Sequence, residues 1–351
     1  MVNKNRKSFT RNELKDALKK FKQHKIFDEV KEFSTQDETE IDKKEYKSYS
    51  ELKDDFKKMN MAIQTEGEIV TELFNKMKQT SDKEELRHIL AELEYILHKI
   101  DNALLFMDLR GMSELVKLLN STDADLRHDT AFVLGSAMQS NPKVQITAME
   151  AGVLQRLITI VSTDSSLSVR KKALYAVSAL MRHFPYAQKR FLSLGGLSVL
   201  AQLFTQPHTE KMRVQIITLL TDLNTEKIHS RANLQQGNSL QKEKLRQYNE
   251  LDILTNMVET GWCDKVKSLL QLQDYDTQEK VLATMNQIAN VCRSSFKSVD
   301  SQLKQLENKY HHLCEEDKAN GDDSEDNEFF CTLSKSVSNI LFTLENVKDE
   351  L

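Results

Sequence analysis

One pattern occurs three times between residues 110 and 204, at a spacing that leaves few folds open. Gly152-Val-Leu-Gln-Arg-Leu-Ile-Thr-Ile-Val161 overlays Gly195-Gly-Leu-Ser-Val-Leu-Ala-Gln-Leu-Phe204 at a distance of 43 residues, and Arg110-Gly-Met-Ser-Glu-Leu-Val-Lys-Leu-Leu119 overlays both. The shared apolar columns are Met112, Leu154 and Leu197, then Leu115, Leu157 and Leu200, then Leu118, Ile160 and Leu203. Each column falls on one helical face. The next helix repeats as well: Phe132-Val-Leu-Gly-Ser-Ala-Met138 aligns with Tyr175-Ala-Val-Ser-Ala-Leu-Met181 and, more loosely, with Thr218-Leu-Leu-Thr-Asp-Leu223. Between units, Pro142 stands before Gly152 as Pro185 stands before Gly195. Proline opens a short helix where its missing N–H costs nothing, and glycine makes the turn that ends it.

A unit of short helix, glycine-led second helix and longer third helix resembles the armadillo repeat. No such unit can bury its own apolar face, so units must stack into a solenoid with a concave surface suited to binding proteins. Nine glycines and three prolines in 351 residues, with Leu, Lys, Glu, Gln and Ala abundant, agree with long helices and short turns. The expected fold is all-α: an armadillo-like helical-repeat solenoid with a flexible, charged N-terminal segment. Three clear units occupy about residues 100–225, a degenerate cap begins near residue 51, and a weaker fourth unit runs from Leu251 to Phe296. The expected divisions are a disordered segment over 1–50, a repeat domain over 51–310, an acidic loop and terminal helix over 311–347, and a terminal tetrapeptide over 348–351. Within the first, Thr10-Arg11-Asn12-Glu13 has the form of a capping box before Leu14, Leu18 and Phe21, so one short helix is expected there. Ser48-Tyr49-Ser50-Glu51 and Ser81-Asp82-Lys83-Glu84 open the first ordered helices.

A net charge of −4, with 29% charged residues of both signs, gives no field suited to nucleic acid or an anionic bilayer, so neither is an expected partner. No apolar stretch approaches the roughly 20 residues of a membrane span. No phosphate loop, G-x-S-x-G elbow, HExxH or CxxC is present, and we expect no enzyme activity and no cofactor. His311-His312-Leu313-Cys314 lacks a partner pair at zinc-ligand spacing, and no metal is expected.

What the chain does carry is an address. Lys348-Asp349-Glu350-Leu351 reads as the retrieval signal recognised by the KDEL receptor, which places the protein in the lumen of the endoplasmic reticulum. No signal-peptide core follows Met1, so the localisation rests on the tetrapeptide. Asn120-Ser121-Thr122 is a glycosylation sequon expected in the turn between second and third helices of a unit, and Asn290-Val291-Cys292 is a weaker acceptor pattern. In an oxidising lumen Cys263, Cys292, Cys314 and Cys331 allow three pairings, or free thiols, and the sequence does not choose.

Several stretches together, Asp101-Asn102-Ala103, Phe132-Val133-Leu134-Gly135, Ser140-Asn141-Pro142-Lys143-Val144-Gln145, Arg182-His183-Phe184-Pro185-Tyr186-Ala187-Gln188, Leu194-Gly195-Gly196-Leu197 and Gly261-Trp262-Cys263, closely resemble the Sil-one (BiP-associated protein) family of exchange factors for the lumenal chaperone BiP. The resemblance runs from about Thr10 to the C-terminus. It implies an adenine-nucleotide exchange factor that clasps the ATPase domain of BiP and speeds ADP release, with the N-terminal arm reaching the chaperone's substrate-binding part; separately, a monomer is expected.

If the third helices line the concave face, as in an armadillo solenoid, they expose two ladders, Phe132, Tyr175 and Thr218, and Ser136, Ala179 and Asp222, flanked by Lys171, Lys172 and Arg182. These are the expected partner-binding residues. The alternative for Phe132 and Tyr175 is packing between repeats. The alternative for the whole is a scaffold that holds a peptide without exchange activity, although such grooves carry Asn and Trp ladders where this chain has Ser136, Ala179 and Asp222.

Overall fold

A computed structural model describes residues 64–232, 239–319 and 328–346. The expected N-terminal disorder and capping box, the helix start at Ser48, and the terminal tetrapeptide lie outside these residues.

Each unit contains helices that we call H1, H2 and H3. Helices α1 (Glu66–Gln79) and α2 (Lys83–Ile96) form the N-terminal cap. The first unit is α3 (Ile100–Asp108), α4 (Gly111–Leu119) and α5 (Ala124–Met138), and the second is α6 (Pro142–Glu150), α7 (Val153–Thr163) and α8 (Leu167–Met181). The third is α9 (Pro185–Ser193), α10 (Gly196–Gln202) and α11 (Glu210–Ala232). After α12 (Ser239–Asn249), the fourth unit follows as α13 (Ile253–Glu259), α14 (Trp262–Ser268) and α15 (Tyr275–Ile288). Helices α16 (Arg293–Lys297), α17 (Asp300–Ala319) and α18 (Phe329–Asn346) close the stack.

Local chemistry sets these boundaries. Pro142 and Pro185 occupy the first turn of their H1 helices. Each H2 begins after a left-handed residue: Arg110, Gly152, Gly195 and Gly261, at φ 67°, 70°, 71° and 73°. H3 helices start on acceptors where the sequence supplies them, as at Asp82, Asp123 and Asp274, whose carboxylates accept first-turn N–H groups.

The H2 columns read from the sequence form the core. Met112, Leu115, Leu154, Leu157, Leu197, Leu200 and Leu203 are buried, while Leu118 and Ile160 pack against the core half-buried. Each fully buried side chain of this size contributes roughly 1.5–3 kcal/mol. Where H1 meets H2, size is traded between partners. A Cβ on Gly111 or Gly196 would lie 2.2 Å from the ring of Phe106 or Phe191. The corresponding buried pair in the second unit is Ala148 and Val153.

Helix α12 was not visible as a separate element in the repeat pattern; its apolar positions are too few to register. The boundary expected at residue 310 falls inside α17, and α18 packs against α17 and α15, joining Leu333, Val337, Ile340 and Leu344 to the common core. The cysteines pair as Cys263–Cys292, joining α14 to the start of α16, and Cys314–Cys331, joining α17 to α18.

Candidate interaction face

The H3 helices α2, α5, α8, α11 and α15 pack in succession, and side chains one repeat apart meet along them. Ser136 Oγ donates to Glu94 Oε1 at 2.8 Å, and Arg87 Nε donates to Asp129 Oδ2 at 3.0 Å. The rings of Phe132 and Tyr175 meet edge to face with centroids 5.8 Å apart, and Tyr175 Oη donates to Gln139 Oε1 at 3.0 Å. Lys172 Nζ stands 3.0 Å above the Phe132 ring, a cation–π contact. Its burial pushes the ammonium below the usual lysine value, and Glu94 and Asp129 act in the opposite sense. Further along, Arg182 pairs with Asp222, Thr221 bonds Thr284 at 2.8 Å, and Asn224 Nδ2 donates to Gln287 Oε1 at 3.0 Å.

The expected binding residues divide accordingly. Phe132, Tyr175, Lys171, Lys172 and Thr218 are half-buried, and Arg182 and Asp222 stay open to solvent. Tyr175, Arg182 and Thr218, with Ser178, Gln215 and Lys280, line a cavity of about 240 Å³ between α8 and α11. Ser136 and Ala179 are corrections to the expected exposed ladder: both are buried, at 1% and 6% exposure. One helical turn after Phe132 and Tyr175, H3 faces its neighbour. The Ser136 hydroxyl is committed to Glu94, and the Ala179 carbonyl accepts from Gln145 Nε2 at 2.8 Å. The packing alternative thus describes the contact between Phe132 and Tyr175, while Tyr175 also borders open space.

Arg182 and Asp222 also border a second cavity, about 570 Å³, closed by α12 and lined further by Glu226, His229, Lys244 and Tyr248. The Glu226 side chain is 9% exposed. One of its oxygens, Oε2, accepts from the His183 backbone N–H and Gln188 Nε2 at 2.9 Å and from Tyr248 Oη at 3.1 Å. Burial, and then the Glu226 charge, push the Tyr248 hydroxyl well above the usual tyrosine value.

Nothing in the repeat analysis singled out Glu226, or the arginines at the start of H3. Arg127 binds Asp164 through Nε and Nη2 at 2.7 and 3.1 Å. One repeat on, Arg170 donates to Val161 O at 2.8 Å and Gln206 Oε1 at 2.6 Å, and Arg213 donates to Gln206 O at 2.7 Å. The spacing from Arg127 to Arg170 to Arg213, 43 residues each time, was the available signal.

Asn120 lies where the sequon required, at the end of α4 in the turn before α5, exposed, with Arg156 Nη1 3.3 Å from its Oδ1. Among the described residues no group of acidic, histidine and cysteine side chains is placed to hold a metal ion. Cys314, in the His311–Cys314 segment, is bonded to Cys331.

Residues 102–345 match the family described as the SIL1/FES1/HPBP1 C-terminal domain. The chain is 36% identical to nucleotide exchange factor SIL1 of Xenopus laevis, over 94% of its own length and 72% of that protein. It is 33% identical to human Hsp70-binding protein 1, over 42% of this chain and 41% of the other. Among solved structures, the designed armadillo repeat protein YIII(Dq)4CqI superposes with a TM-score of 0.53 at 17% identity, covering 79% of this chain and 100% of that one, a likeness of fold. With residues 102–345 matching the family and most of its length shared with SIL1, the chain belongs to the SIL1/FES1/HPBP1 family.

Proposed function

We propose that the chain is a nucleotide exchange factor for the lumenal chaperone BiP, binding its ATPase domain through the H3 face and accelerating ADP release. The observation that carries this reading is the 36% identity to nucleotide exchange factor SIL1 across 94% of the chain. The H3 face supports it physically, because Lys171, Lys172, Tyr175, Arg182, Thr218 and Asp222 retain exposed surface along consecutive repeats. Phe132 enters as the platform that holds Lys172.

Exchange needs no bond from this chain to ADP and no catalytic residue. If the H3 face binds the ATPase domain best with one lobe rotated open, it favours the conformation with weak ADP affinity, and ADP in turn weakens binding of the exchange factor. A coupling of about 1–3 kcal/mol changes affinity by about 5–150-fold.

The compartment belongs to the same proposal. The pairs Cys263–Cys292 and Cys314–Cys331 suit an oxidising lumen, Lys348-Asp349-Glu350-Leu351 suits retrieval by the KDEL receptor, and Asn120 is exposed for glycosylation.

Release of fluorescent ADP from purified BiP, followed by stopped flow with and without this protein, tests the reading. Faster release is the expected result. Binding without acceleration removes exchange and leaves a lumenal scaffold.

A further inference from the structure

Helix α12 interrupts the repeat register. Equivalent left-handed residues Gly152 and Gly195 are 43 apart, whereas Gly195 and Gly261 are 66 apart. The inserted helix is fastened at its C-terminal end. Tyr248 is buried against Glu226, Glu250 pairs with Lys189 at 2.6 Å, and the carbonyl of Leu251 accepts from Lys227. Burying a carboxylate such as Glu226 is costly unless donors surround it, and here three do. The 570 Å³ cavity that α12 closes therefore lies where the repeat register is broken.

The polar groups lining it are unequally committed. Asp222 is paired with Arg182, and Glu226 takes three donors on Oε2 and faces the His183 ring with Oε1. Lys244 and His229 are exposed, and neither has a carboxylate partner among the described residues. Lys244 Nζ lies 6.0 Å from the Tyr248 ring centroid. The exposed His183 ring stands 3.5 Å from Glu226. At Lys244 and His229 the unspent capacity of the cavity is thus donor capacity, beside the apolar surface of Leu245 and Tyr248.

We propose that this cavity is a docking socket for an acidic side chain, Asp or Glu, on the surface of the chaperone's ATPase domain, with Lys244 and His229 as the groups that recognise it. The proposal rests on the exchange-factor reading. A residue on a protein surface fits better than a free anion because the socket is continuous with the H3 face. Arg182 borders both this cavity and the one lined by Tyr175 and Thr218. An occupant reaching the socket would belong to the surface already covering that face.

The test uses the whole chain with Lys244→Glu and His229→Glu, and with Lys143→Glu, an exposed position on α6, as control. Affinity for the purified BiP ATPase domain is measured by calorimetry at low and physiological salt, beside the rate of ADP release. Circular dichroism checks folding. We expect Lys244→Glu to lose about tenfold or more in affinity, because it sets a like charge against the partner's carboxylate. Lys244→Arg should keep most of the binding, and Lys143→Glu should change little. Unchanged affinity for both Lys244→Glu and His229→Glu would overturn the socket and leave exchange intact. If the unaltered chain binds without speeding ADP release, exchange falls while the variants still decide the socket. If the unaltered chain does not bind the ATPase domain, both proposals fall.

Discussion

The ring of Tyr175 fills the space that a side chain at Gly135 would need: a Cβ there would lie 2.3 Å from Tyr175 Cε1. Helix α5 can thus receive the aromatic ladder of α8 only through a glycine, although glycine in a helix interior costs about 1 kcal/mol relative to alanine. Gly135→Ala is expected to destabilise by about 1–3 kcal/mol, the usual cost of overpacking. In a Tyr175→Ala background the sign should reverse, since only the helical preference of alanine remains. Urea unfolding of the four chains of this cycle checks it, and a Gly135→Ala penalty that persists without the tyrosine ring would show that the ring is not the cause.

Gly195 isolates backbone strain from crowding. Its φ is +71°, and nothing lies within 4 Å of a Cβ built upon it. Gly195→Ala should therefore cost about 1–2 kcal/mol, through left-handed backbone energy alone. Gly195→Asn should cost less. At the equivalent position Arg110 already carries that strain at φ 67°, so Arg110→Gly should be neutral or slightly stabilising despite the flexibility it adds to the unfolded chain. Thermal midpoints of the three variants measure these differences.

Asp164 and Arg127 form a largely buried pair, their side chains 5% and 15% exposed. Asp164→Asn is expected to cost about 3 kcal/mol at neutral pH by leaving the guanidinium without its counter-charge. Burial pushes the Asp164 carboxyl up, but the Arg127 and Ser166 donors and the nearby Arg170 charge outweigh it, holding the group below its ordinary 3.8. A carboxyl depressed in the folded state stabilises fully above its unfolded value and loses that contribution as pH falls through the folded value. Unfolding free energies measured downward from neutral pH should therefore converge for the parent and Asp164→Asn below about pH 4. A constant gap would contradict the assignment.

Reduction should loosen one end of the stack. Cys263–Cys292 spans 29 residues and Cys314–Cys331 spans 17, for which loop closure gives about 3–4 kcal/mol each. Hydrogen exchange after reduction, or in Cys263→Ser/Cys292→Ser, should accelerate in α14 to α18 and leave α5 and α8 protected. Uniform acceleration along the chain would argue for one cooperative unit instead.

Expressed with a secretory leader, the chain should show a glycan-sized mass that endoglycosidase removes and Asn120→Gln abolishes. Asn290 should carry none, because its pattern ends at Cys292, which is bonded to Cys263.

How much of this was legible in the sequence depended on whether a residue served the repeat or departed from it. The apolar columns from Met112 to Leu203, the prolines opening H1 and the glycines opening H2 could be read because the same local physics recurs in each unit. The sequon turn at Asn120 followed from the same register. Ser136 and Ala179 were misplaced because a helical wheel gives the spacing of a face but not how closely the neighbouring helix covers it. Glu226 and α12 were missed for the opposite reason. Neither recurs, and the role of Glu226 depends on Tyr248, which an insertion brings to it. The disulfide pairing likewise needed the spatial placement of α14 to α18.

The arginines at the start of H3 give the stack a head and a tail. Arg87 reaches forward to Asp129, Arg127 to Asp164, and Arg170 to Gln206, each gripping the unit that follows. If the chain were divided between α5 and α6, the leading fragment would hold Arg127 without its carboxylate and the trailing fragment Asp164 without its guanidinium. Two such halves, mixed in solution, would bring complementary charges to their cut faces, Arg127 and Asp129 on one against Asp164 and Lys172 on the other, and would rejoin in one orientation, like links of a chain whose hooks all face the same way.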